Sequence, residues 1–369
     1  MHEQTLLNRA ALVLRKVSPE NAADEALRTE MEFHKAWSGP ERRALARAVY
    51  AYFKWLLWLP DNAPLQARVA EAVRMQDRFD KNEKDVKVQA LAARAVPEWL
   101  SSEMELAPSF LRQLQRAPSL WLRARRGLEQ EVAAELGDCE LAETLPVGEG
   151  RPLLSLRYKG TRDLYRSSDF KTGRFEIQDL SSQVVGLLCA PKPGETWWDA
   201  CAGQGGKTLH LADMMENKGL IWASDRSKRR LEILEKRAKR AEVFNYRAAA
   251  WEGDEKLPTK TIFDGILIDA PCSGVGTWQR NPHARWTTFP KDVAELAQVQ
   301  KRLLSHACGN LRSGGRLVYS VCTLTRSETT DVVEAFLRTH EDFSLTEAHT
   351  LMPGVIDGNG MYVAVLTRK

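Results

Sequence analysis

The order of apolar and polar segments after about residue 178 is the feature that most restricts the fold of this chain. Five short apolar segments have the character of β-strands, with helix-like stretches between most of them: TWWDACAG, GLIWASD, FDGILIDAPC, GGRLVYSVCT and MYVAVLTRK. Strands that alternate with helices of about 10–20 residues form a parallel, doubly wound sheet. The sequence therefore predicts an α/β fold over residues 178–369, which can include an antiparallel strand at its end.

Small and polar residues stand directly after these strands, where an open parallel sheet binds its ligands. The segment DACAGQGGKT, from Asp199 to Thr208, places three glycines in one turn between a strand and a helix, and Asp225 ends the next strand. Glycine lets the backbone approach a ligand closely, and a strand-end carboxylate accepts hydrogen bonds from ribose hydroxyls. The spacing matches neither GxGxxG nor GxxxxGK[ST]. These residues predict a cofactor that contains a nucleoside, with NAD and S-adenosylmethionine as alternatives.

Two cysteines occupy equivalent places after later strands. Cys272 lies in DAPCSG and Cys322 in YSVCTL, beside proline, serine and threonine. A thiolate is a nucleophile for covalent catalysis, and the nearby carboxylate of Asp269 is suited to holding a ring substrate. A hydrolase that pairs a cysteine with His283 or His306 is an alternative, but it leaves the glycine turn without a role. No cysteine or histidine pair with zinc-site spacing accompanies them, so we predict no metal.

The cysteine pattern and the hydropathy bear on location. The six cysteines are scattered and form no CxxC pair, which is typical of reduced thiols in a cytoplasmic protein. No apolar run approaches the roughly 20 residues that a membrane span needs, so we expect no membrane partner.

Three regions of the sequence differ in pattern. Residues 1–110 show apolar residues at helical spacing and predict an all-α domain. Residues 111–177 predict a small α+β module, with strands in SLWLRARR and RPLLSLRYKG and a helix in EQEVAAELG. Residues 178–369 form the predicted sheet domain. A chain of 369 residues is expected to divide in this way, because single cores rarely exceed about 250–300 residues.

Basic residues are clustered although the formal net charge is only +4. One cluster lies in residues 112–126 and a second in residues 228–240. Such clusters neutralise phosphates, which predicts a nucleic-acid partner, and we assign phosphate contacts to Arg123, Arg125 and Arg126. The alternative is a solvated helix face without a partner.

The segments DACAGQGGKT, DAPCSGVGTWQRNPHARW and LRSGGRLVYSVCTLTRSE together resemble the RsmB/Nop/Sun family of RNA cytosine-5 methyltransferases. The upstream segments GRFEIQDLSSQVVG and PLLSLRYKGTR resemble that family as well. The N-terminal stretches ALVLRKVSPENAADEAL and RRALARAVYAYFKW resemble the NusB-like helical domain of some bacterial members. The resemblance implies a Rossmann-like class I methyltransferase domain that uses S-adenosylmethionine.

The resemblance also implies roles for individual residues. Cys322 is implied as the nucleophile that adds to carbon 6 of cytosine, Cys272 as the residue that assists product release, Asp269 as the carboxylate at the cytosine edge and Lys207 as the lysine near the reacting base. The residues implied to bind the cofactor are Cys201, Ala202, Gly203, Gln204, Gly205, Gly206, Lys207, Asp225 (ribose), Asp254 (adenine) and Asp269. Those implied to lie on the RNA side are Lys159, Arg280 and Asn281.

The chain departs from the family pattern at three places. The cofactor loop reads AGQGGKT where the family has AAPGGKT, Lys159 stands where the family often has asparagine, and Val321 replaces a threonine. The loss of the proline predicts a less rigid loop. We expect a monomeric enzyme that forms 5-methylcytosine in ribosomal RNA. The alternatives are a transfer RNA substrate, or a non-catalytic RNA-binding or ribosome-assembly factor on a methyltransferase fold.

Overall fold

The computed structural model describes residues 2–18, 20–143 and 154–369. They divide into two compact units. The helical unit consists of residues 1–118, 274–290 and 353–355, and the sheet unit consists of residues 119–273, 291–352 and 356–369. Among the described helices, none combines the length and the apolar composition that crossing a bilayer requires.

The helical unit begins with six α-helices, as predicted for the N-terminal region. They are α1 (Glu3–Arg15), α2 (Ala23–Phe33), α3 (Gly39–Lys54), α4 (Leu65–Lys81), α5 (Val88–Arg94) and α6 (Pro108–Gln113). Helix α3 starts at a capping box, in which the Ser38 and Glu41 side chains bind each other's backbone N–H groups. Its apolar face packs Leu45 and Val49 into the core of this unit, together with the fully buried Trp55.

Residues 274–290 fold with the helical unit and are held there by a buried arginine. Arg285 has no exposed surface, and its guanidinium donates to the backbone carbonyls of Leu114, Ala95 and Trp278. A buried cation is tolerated only when acceptors replace its water, and these carbonyls do so. Burial lowers the pKa of Arg285 to about 9.

The sheet unit starts with the small α+β module. It contains β1 (Leu120–Ala124), α7 (Glu129–Leu136), β2 (Cys139–Glu143), β3 (Leu154–Tyr158), α8 (Ser168–Lys171) and β4 (Phe175–Ile177). The strands form an antiparallel sheet in the order β2-β3-β1-β4. Helix α7 ends at Gly137, whose φ of 62° suits glycine. Residues 151–153, the start of the strand predicted in RPLLSLRYKG, lie outside the described residues.

The remainder of the sheet unit is the predicted doubly wound domain. Its elements are α9 (Leu180–Cys189), β5 (Thr196–Asp199), α10 (Gly206–Met214), β6 (Leu220–Asp225), α11 (Lys228–Arg240), β7 (Tyr246–Ala250), β8 (Phe263–Asp269), α12 (Pro290–Ala307), β9 (Leu311–Val321), α13 (Thr330–Thr339), β10 (Phe343–Leu351) and β11 (Met361–Arg368). The strand order is β10-β11-β9-β8-β5-β6-β7. Strands β7, β6, β5, β8 and β9 are parallel to one another. Strand β11 is antiparallel to both β9 and β10. The Rossmann-like fold class is confirmed.

Strand β5 lies inside this sheet, between β8 and β6, and is buried on both faces. Trp197 packs into the core on one face and Trp198 into the core on the other, and both side chains are fully buried. Gly265 on β8 makes room for this packing, because a Cβ atom there would lie 2.3 Å from the Trp197 ring. Burial on both faces explains why two consecutive residues of the strand are apolar, in place of an alternation of apolar and polar residues.

Candidate active site

The carboxyl ends of four strands bring most of the predicted site residues to one edge of the sheet. Asp199 on β5 pairs with Ala223 on β6 and Leu267 on β8, and Asp269 on β8 pairs with Ser320 on β9. The order of the strands reverses at β5. Strands β6 and β7, which follow β5 in the chain, lie on one side of it, and β8 lies on the other. Open α/β sheets bind ligands at this point.

The glycine turn after β5 is held by backbone hydrogen bonds and by the strand-end carboxylate of Asp225. The Ala202 N–H donates to the Ser224 carbonyl at 2.8 Å, and the Gly203 N–H donates to Oδ2 of Asp225 at 3.0 Å. Gly205 has a φ of 83°, and a Cβ atom there would lie 2.6 Å from the Leu234 side chain. Glycine is therefore required at position 205 by conformation and by space.

Gln204, at the place of the missing proline, is held from outside the turn. Its backbone carbonyl accepts a hydrogen bond from Nη1 of Arg237 on α11 at 2.8 Å. The other end of the same guanidinium donates to the buried carboxylate of Glu176 on β4 at 2.9 Å, and Arg240 also binds Glu176. The turn is thus attached to α11 and to the small sheet, and this compensates for a less rigid sequence.

Asp199, at the end of β5, is fully buried beneath this turn. One oxygen accepts a hydrogen bond from the Thr208 hydroxyl at 2.6 Å, and the other has no hydrogen-bond partner among the described residues. Burial raises the pKa of Asp199 to about 7, an effect that the Thr208 hydrogen bond reduces.

Lys207 and Asp269 form an ion pair beside the turn. Nζ of Lys207 donates to Oδ2 of Asp269 at 2.6 Å, and Oδ1 of Asp269 accepts from the Ser320 hydroxyl at 2.8 Å. Burial works to lower the pKa of Lys207, but the Asp269 carboxylate raises it above its usual value. Lys207 is therefore positively charged at neutral pH and also interacts electrostatically with Cys322.

The sulfur atoms of Cys272 and Cys322 lie 3.3 Å apart. This separation is longer than the roughly 2.05 Å of a disulfide bond, so both are thiols that face each other. Both side chains are half-buried. Burial raises the pKa of the other four cysteine thiols, to about 11 for Cys139 and Cys308 and further for Cys189 and Cys201. A raised pKa makes these four thiols poor nucleophiles at neutral pH.

Three other predicted residues differ in exposure. Asp254 has an exposed side chain, and its backbone carbonyl accepts from the Trp251 indole at 3.0 Å. Arg280 is exposed and Asn281 is half-buried, and both belong to the helical unit.

The basic residues predicted to bind RNA differ in exposure. Arg123 is 3% exposed, and its guanidinium donates to Gln178 and Asp213, so it holds the sheet unit together internally. Three further cations of this set pair with carboxylates. The half-buried Arg125 pairs with Glu242, and the exposed Arg126 and Lys159 pair with Glu216 and Glu140. Such surface pairs contribute about 0–1 kcal/mol and exchange readily for phosphate contacts.

The structure adds one residue that the sequence analysis did not single out. Glu328 follows β9 in the short helical turn Arg326–Glu328 and has no exposed surface. Its carboxyl oxygens accept hydrogen bonds from Ser273, Gln300 and Thr325. The available sequence signal was an acidic residue in the polar run after Cys322.

Residues 186–366, about half of the chain, match the model of a protein family described as 16S rRNA methyltransferase RsmB/F. The chain belongs to this family. It is 36% identical over 252 residues to the probable ribosomal RNA small subunit methyltransferase B of Synechocystis sp., a match that covers 66% of this chain and 55% of that protein. A protein with the same description from Bacillus subtilis is 36% identical over 258 residues, which cover 67% and 57%. The chain thus spans a little more than half the length of these curated relatives.

A solved structure adds to the evidence for the fold. The crystal structure of a methyltransferase homolog protein from Pyrococcus horikoshii aligns with a TM-score of 0.62 at 26% identity, and covers 72% of this chain and 91% of that chain.

The RsmB/F family uses S-adenosylmethionine, and the residues at the sheet edge fit this cofactor. The unpartnered buried oxygen of Asp199 is an acceptor for a ligand donor such as an ammonium group. A Cβ atom at Gly203 would meet no atom closer than 4.0 Å, and one at Gly206 none within 4 Å, so the turn leaves open space for a ligand. Asp225 supplies the strand-end carboxylate that suits ribose hydroxyls.

Proposed function

We propose that this protein is an RNA methyltransferase that forms 5-methylcytosine in ribosomal RNA through a covalent adduct between Cys322 and the target base. The observation that carries this proposal is the pair of facing thiols, Cys272 and Cys322, 3.3 Å apart at the sheet edge that also holds the glycine turn and the Lys207–Asp269 ion pair. A methyltransferase acting on a nitrogen atom has no use for two such thiols, whereas carbon 5 of cytosine needs activation.

The chemistry assigns a step to each thiol. Cys322, as a thiolate, adds to carbon 6 of cytosine, and the electron pair displaced from the carbon 5–carbon 6 double bond makes carbon 5 nucleophilic. S-adenosylmethionine, when bound, supplies an electrophilic methyl group for carbon 5. Cys272, as a thiolate, then takes the proton from carbon 5 and becomes a thiol. The electrons of the broken C–H bond restore the carbon 5–carbon 6 double bond, and the bond between carbon 6 and Cys322 breaks to release the Cys322 thiolate.

The ion pair orients the base and favours the charged form of the nucleophile. The carboxylate of Asp269 accepts a hydrogen bond from the exocyclic amino group of cytosine, which uracil lacks. The positive charge of Lys207 stabilises a thiolate at Cys322. In this scheme Asp225 binds the ribose of the cofactor and Asp254 lies near its adenine.

Ribosomal RNA is the proposed substrate because the relatives described above carry that substrate in their names. Arg125, Arg126 and Lys159 are proposed to contact phosphates, and Arg280 and Asn281 to contact RNA from the helical unit. Sequence-specific RNA recognition needs an unstacked base, so the target cytosine has to be turned out of its strand. We expect the protein to act as a monomer in the cytoplasm.

The test uses radiolabelled S-adenosylmethionine with unmethylated ribosomal RNA and transfer RNA in parallel, followed by digestion to nucleosides. We expect label in 5-methylcytidine from ribosomal RNA. The Cys322→Ala variant should form no product, and the Cys272→Ala variant should accumulate a protein–RNA adduct that survives denaturing electrophoresis. Cys308→Ala is the matched control, because that thiol is buried and protonated, and it should methylate normally.

Each other result of this assay has a defined meaning. Label in transfer RNA alone would show that transfer RNA, and not ribosomal RNA, is the substrate. Full activity of Cys322→Ala would refute the mechanism. If S-adenosylmethionine binds but neither RNA pool is labelled, the RNA-binding factor becomes the better description.

The cationic surface is tested by salt dependence. In the Arg125→Ala/Arg126→Ala double variant we expect weaker RNA binding and a slope of log affinity against log salt that is smaller by roughly 1.4–1.8, because each of the two lost phosphate contacts contributes about 0.7–0.9 to the slope. Lys192→Ala, an exposed lysine elsewhere on the sheet unit, is the control. A slope that stays at the wild-type value would remove these arginines from the interface.

A further inference from the structure

The segments that carry the two thiols come from different strands and are joined by one buried side chain. Cys272 lies between Pro271 and Ser273 after β8, and Cys322 lies at the end of β9. Glu328 is fully buried next to both segments. The Ser273 N–H donates to Oε1 of Glu328 at 2.9 Å, and the Ser273 hydroxyl donates to Oε2.

The same carboxyl group also holds the segment after Cys322. The Thr325 hydroxyl donates to Oε2 of Glu328 at 2.8 Å, and the hydroxyls of Thr323 and Ser273 lie 2.8 Å apart. Thr323 and Thr325 have no exposed surface. The residues that follow both cysteines therefore meet at Glu328, and neither segment can shift without breaking buried hydrogen bonds.

A second side chain completes the arrangement from α12. Nε2 of Gln300 donates to Oε1 of Glu328 at 3.0 Å and to the Pro271 carbonyl at 2.9 Å, so the backbone is fixed on both sides of Cys272. The Tyr319 hydroxyl donates to the Glu328 backbone carbonyl at 2.6 Å, which ties the helical turn back to β9. We call Ser273, Gln300, Thr325 and Glu328 the thiol clamp.

We propose that Glu328 is a positioning residue that sets the separation of the Cys272 and Cys322 thiols through the thiol clamp. Its carboxyl group is fully buried and bound by Ser273, Gln300 and Thr325, so we assign it no direct contact with substrate or cofactor. The inference rests on the proposed function in one respect, namely that these thiols are the reacting groups. Misplacement of reacting groups by about 1 Å is enough to lower a rate about a hundredfold.

The geometry predicts a graded response to substitution. Glu328→Ala removes all four contacts and leaves the Ser273 and Gln300 N–H groups buried without acceptors. Glu328→Gln retains the shape, keeps its oxygen towards those two N–H groups and turns its amide nitrogen towards two hydroxyls. Hydroxyls can rotate to accept a hydrogen bond, so the clamp survives in the glutamine variant.

The test measures the proximity of the thiols independently of methylation. Wild-type protein and variants are equilibrated in a series of reduced and oxidised glutathione. One oxidised glutathione and two protein thiols yield the 272–322 disulfide and two reduced glutathiones. The disulfide is quantified by peptide mass spectrometry, and the equilibrium gives an effective concentration of one thiol for the other. Binding of S-adenosylmethionine and single-turnover methylation are measured on the same reduced samples.

We expect Glu328→Ala to lower the effective thiol concentration at least tenfold and the methylation rate at least thirtyfold, with cofactor affinity within twofold of wild type. Glu328→Gln should lie within threefold of wild type in all three measurements. Glu30→Gln is the matched control, because Glu30 is a buried carboxylate that binds Arg9 and Lys16 in the helical unit. It should change stability but not the effective thiol concentration.

The proposal is overturned if Glu328→Ala folds and its two thiols retain the wild-type effective concentration. It is also overturned if wild-type protein forms no 272–322 disulfide in the glutathione series. If Glu328→Ala fails to fold, Thr325→Val tests the clamp at nearly constant volume. We expect it to lower the effective concentration about threefold, and an unchanged value would refute the clamp. Absence of methylation in wild-type protein with a normal thiol equilibrium would refute the proposed function and leave the clamp intact.

Discussion

Replacing Asp199 by asparagine should remove a loss of folding stability that the sheet unit undergoes as the pH rises. Asp199 is fully buried, and its pKa is raised from 3.8 to about 7. A carboxyl group with a raised pKa holds its proton more tightly in the folded chain. Its contribution to stability is therefore fully present below pH 3.8 and is lost as the pH rises through 7.

The size of the effect follows from the two pKa values. At about 1.4 kcal/mol for each pKa unit, the rise from 3.8 to about 7 corresponds to about 4 kcal/mol. Roughly 1–2 kcal/mol of this is already lost at pH 5, so about 3 kcal/mol remains to be lost between pH 5 and pH 8. Asparagine is neutral at both values and can still accept from the Thr208 hydroxyl. Between pH 5 and pH 8 the free energy of unfolding of the wild type should therefore fall by about 3 kcal/mol more than that of Asp199→Asn.

The assay is urea unfolding at pH 5 and pH 8, followed by labelling of Cys189 with 4,4′-dithiodipyridine. Cys189 is fully buried in the same unit, so its labelling reports the opening of that unit. Thr208→Val is the control in the opposite direction, because removing the hydroxyl that lowers the pKa of Asp199 should steepen the loss of stability with pH. A difference between Asp199→Asn and wild type that is the same at both pH values would refute the reasoning.

Two further predictions concern the cofactor turn. Gly205→Ala should weaken S-adenosylmethionine binding at least tenfold in calorimetry. A residue other than glycine at φ 83° costs about 1–3 kcal/mol, and its Cβ atom would also collide with the Leu234 side chain. Wild-type affinity of this variant would contradict the geometry. Arg237→Ala should weaken binding of the same cofactor roughly tenfold, because the Gln204 carbonyl loses its charged donor, whereas Arg229→Ala on the exposed face of the same helix should leave the affinity unchanged. Equal effects of the two arginine variants would argue for a general charge effect instead.

The strand-end positions of the candidate site follow from sequence pattern alone. Asp199, Asp225 and Asp269 each end an apolar run, and parallel strands bring such ends to one edge. The ion pair between Lys207 and Asp269 is an addition from the structure, in which Lys207 lies in the first turn of α10 and Asp269 ends the strand adjacent to β5. Local pattern is informative here because the sheet determines the long-range geometry.

Other features depend on contacts that no local pattern encodes. Glu328 acquires its role from Ser273 and Gln300, which lie 55 and 28 residues away in the chain. Arg123 reads as a member of a basic cluster, yet its side chain is buried against Gln178 and Asp213. Strand β10 was not predicted, because most of its residues are at least partly exposed and it lies at the sheet edge, where apolar residues are not required.

Arg285 makes the first 118 residues a part of the protein that cannot be removed cleanly. A chain shortened to residues 119–369 would keep segment 274–290 but lose the Ala95 and Leu114 carbonyls, leaving a cation without two of its acceptors. That segment follows directly after Ser273, so the loss of order would begin two residues beyond the cysteine that we assign to product release. Segment 274–290 therefore depends on the first 118 residues for its fold. A split protein or a domain exchange has to keep Arg285 together with the helices whose carbonyls bind it.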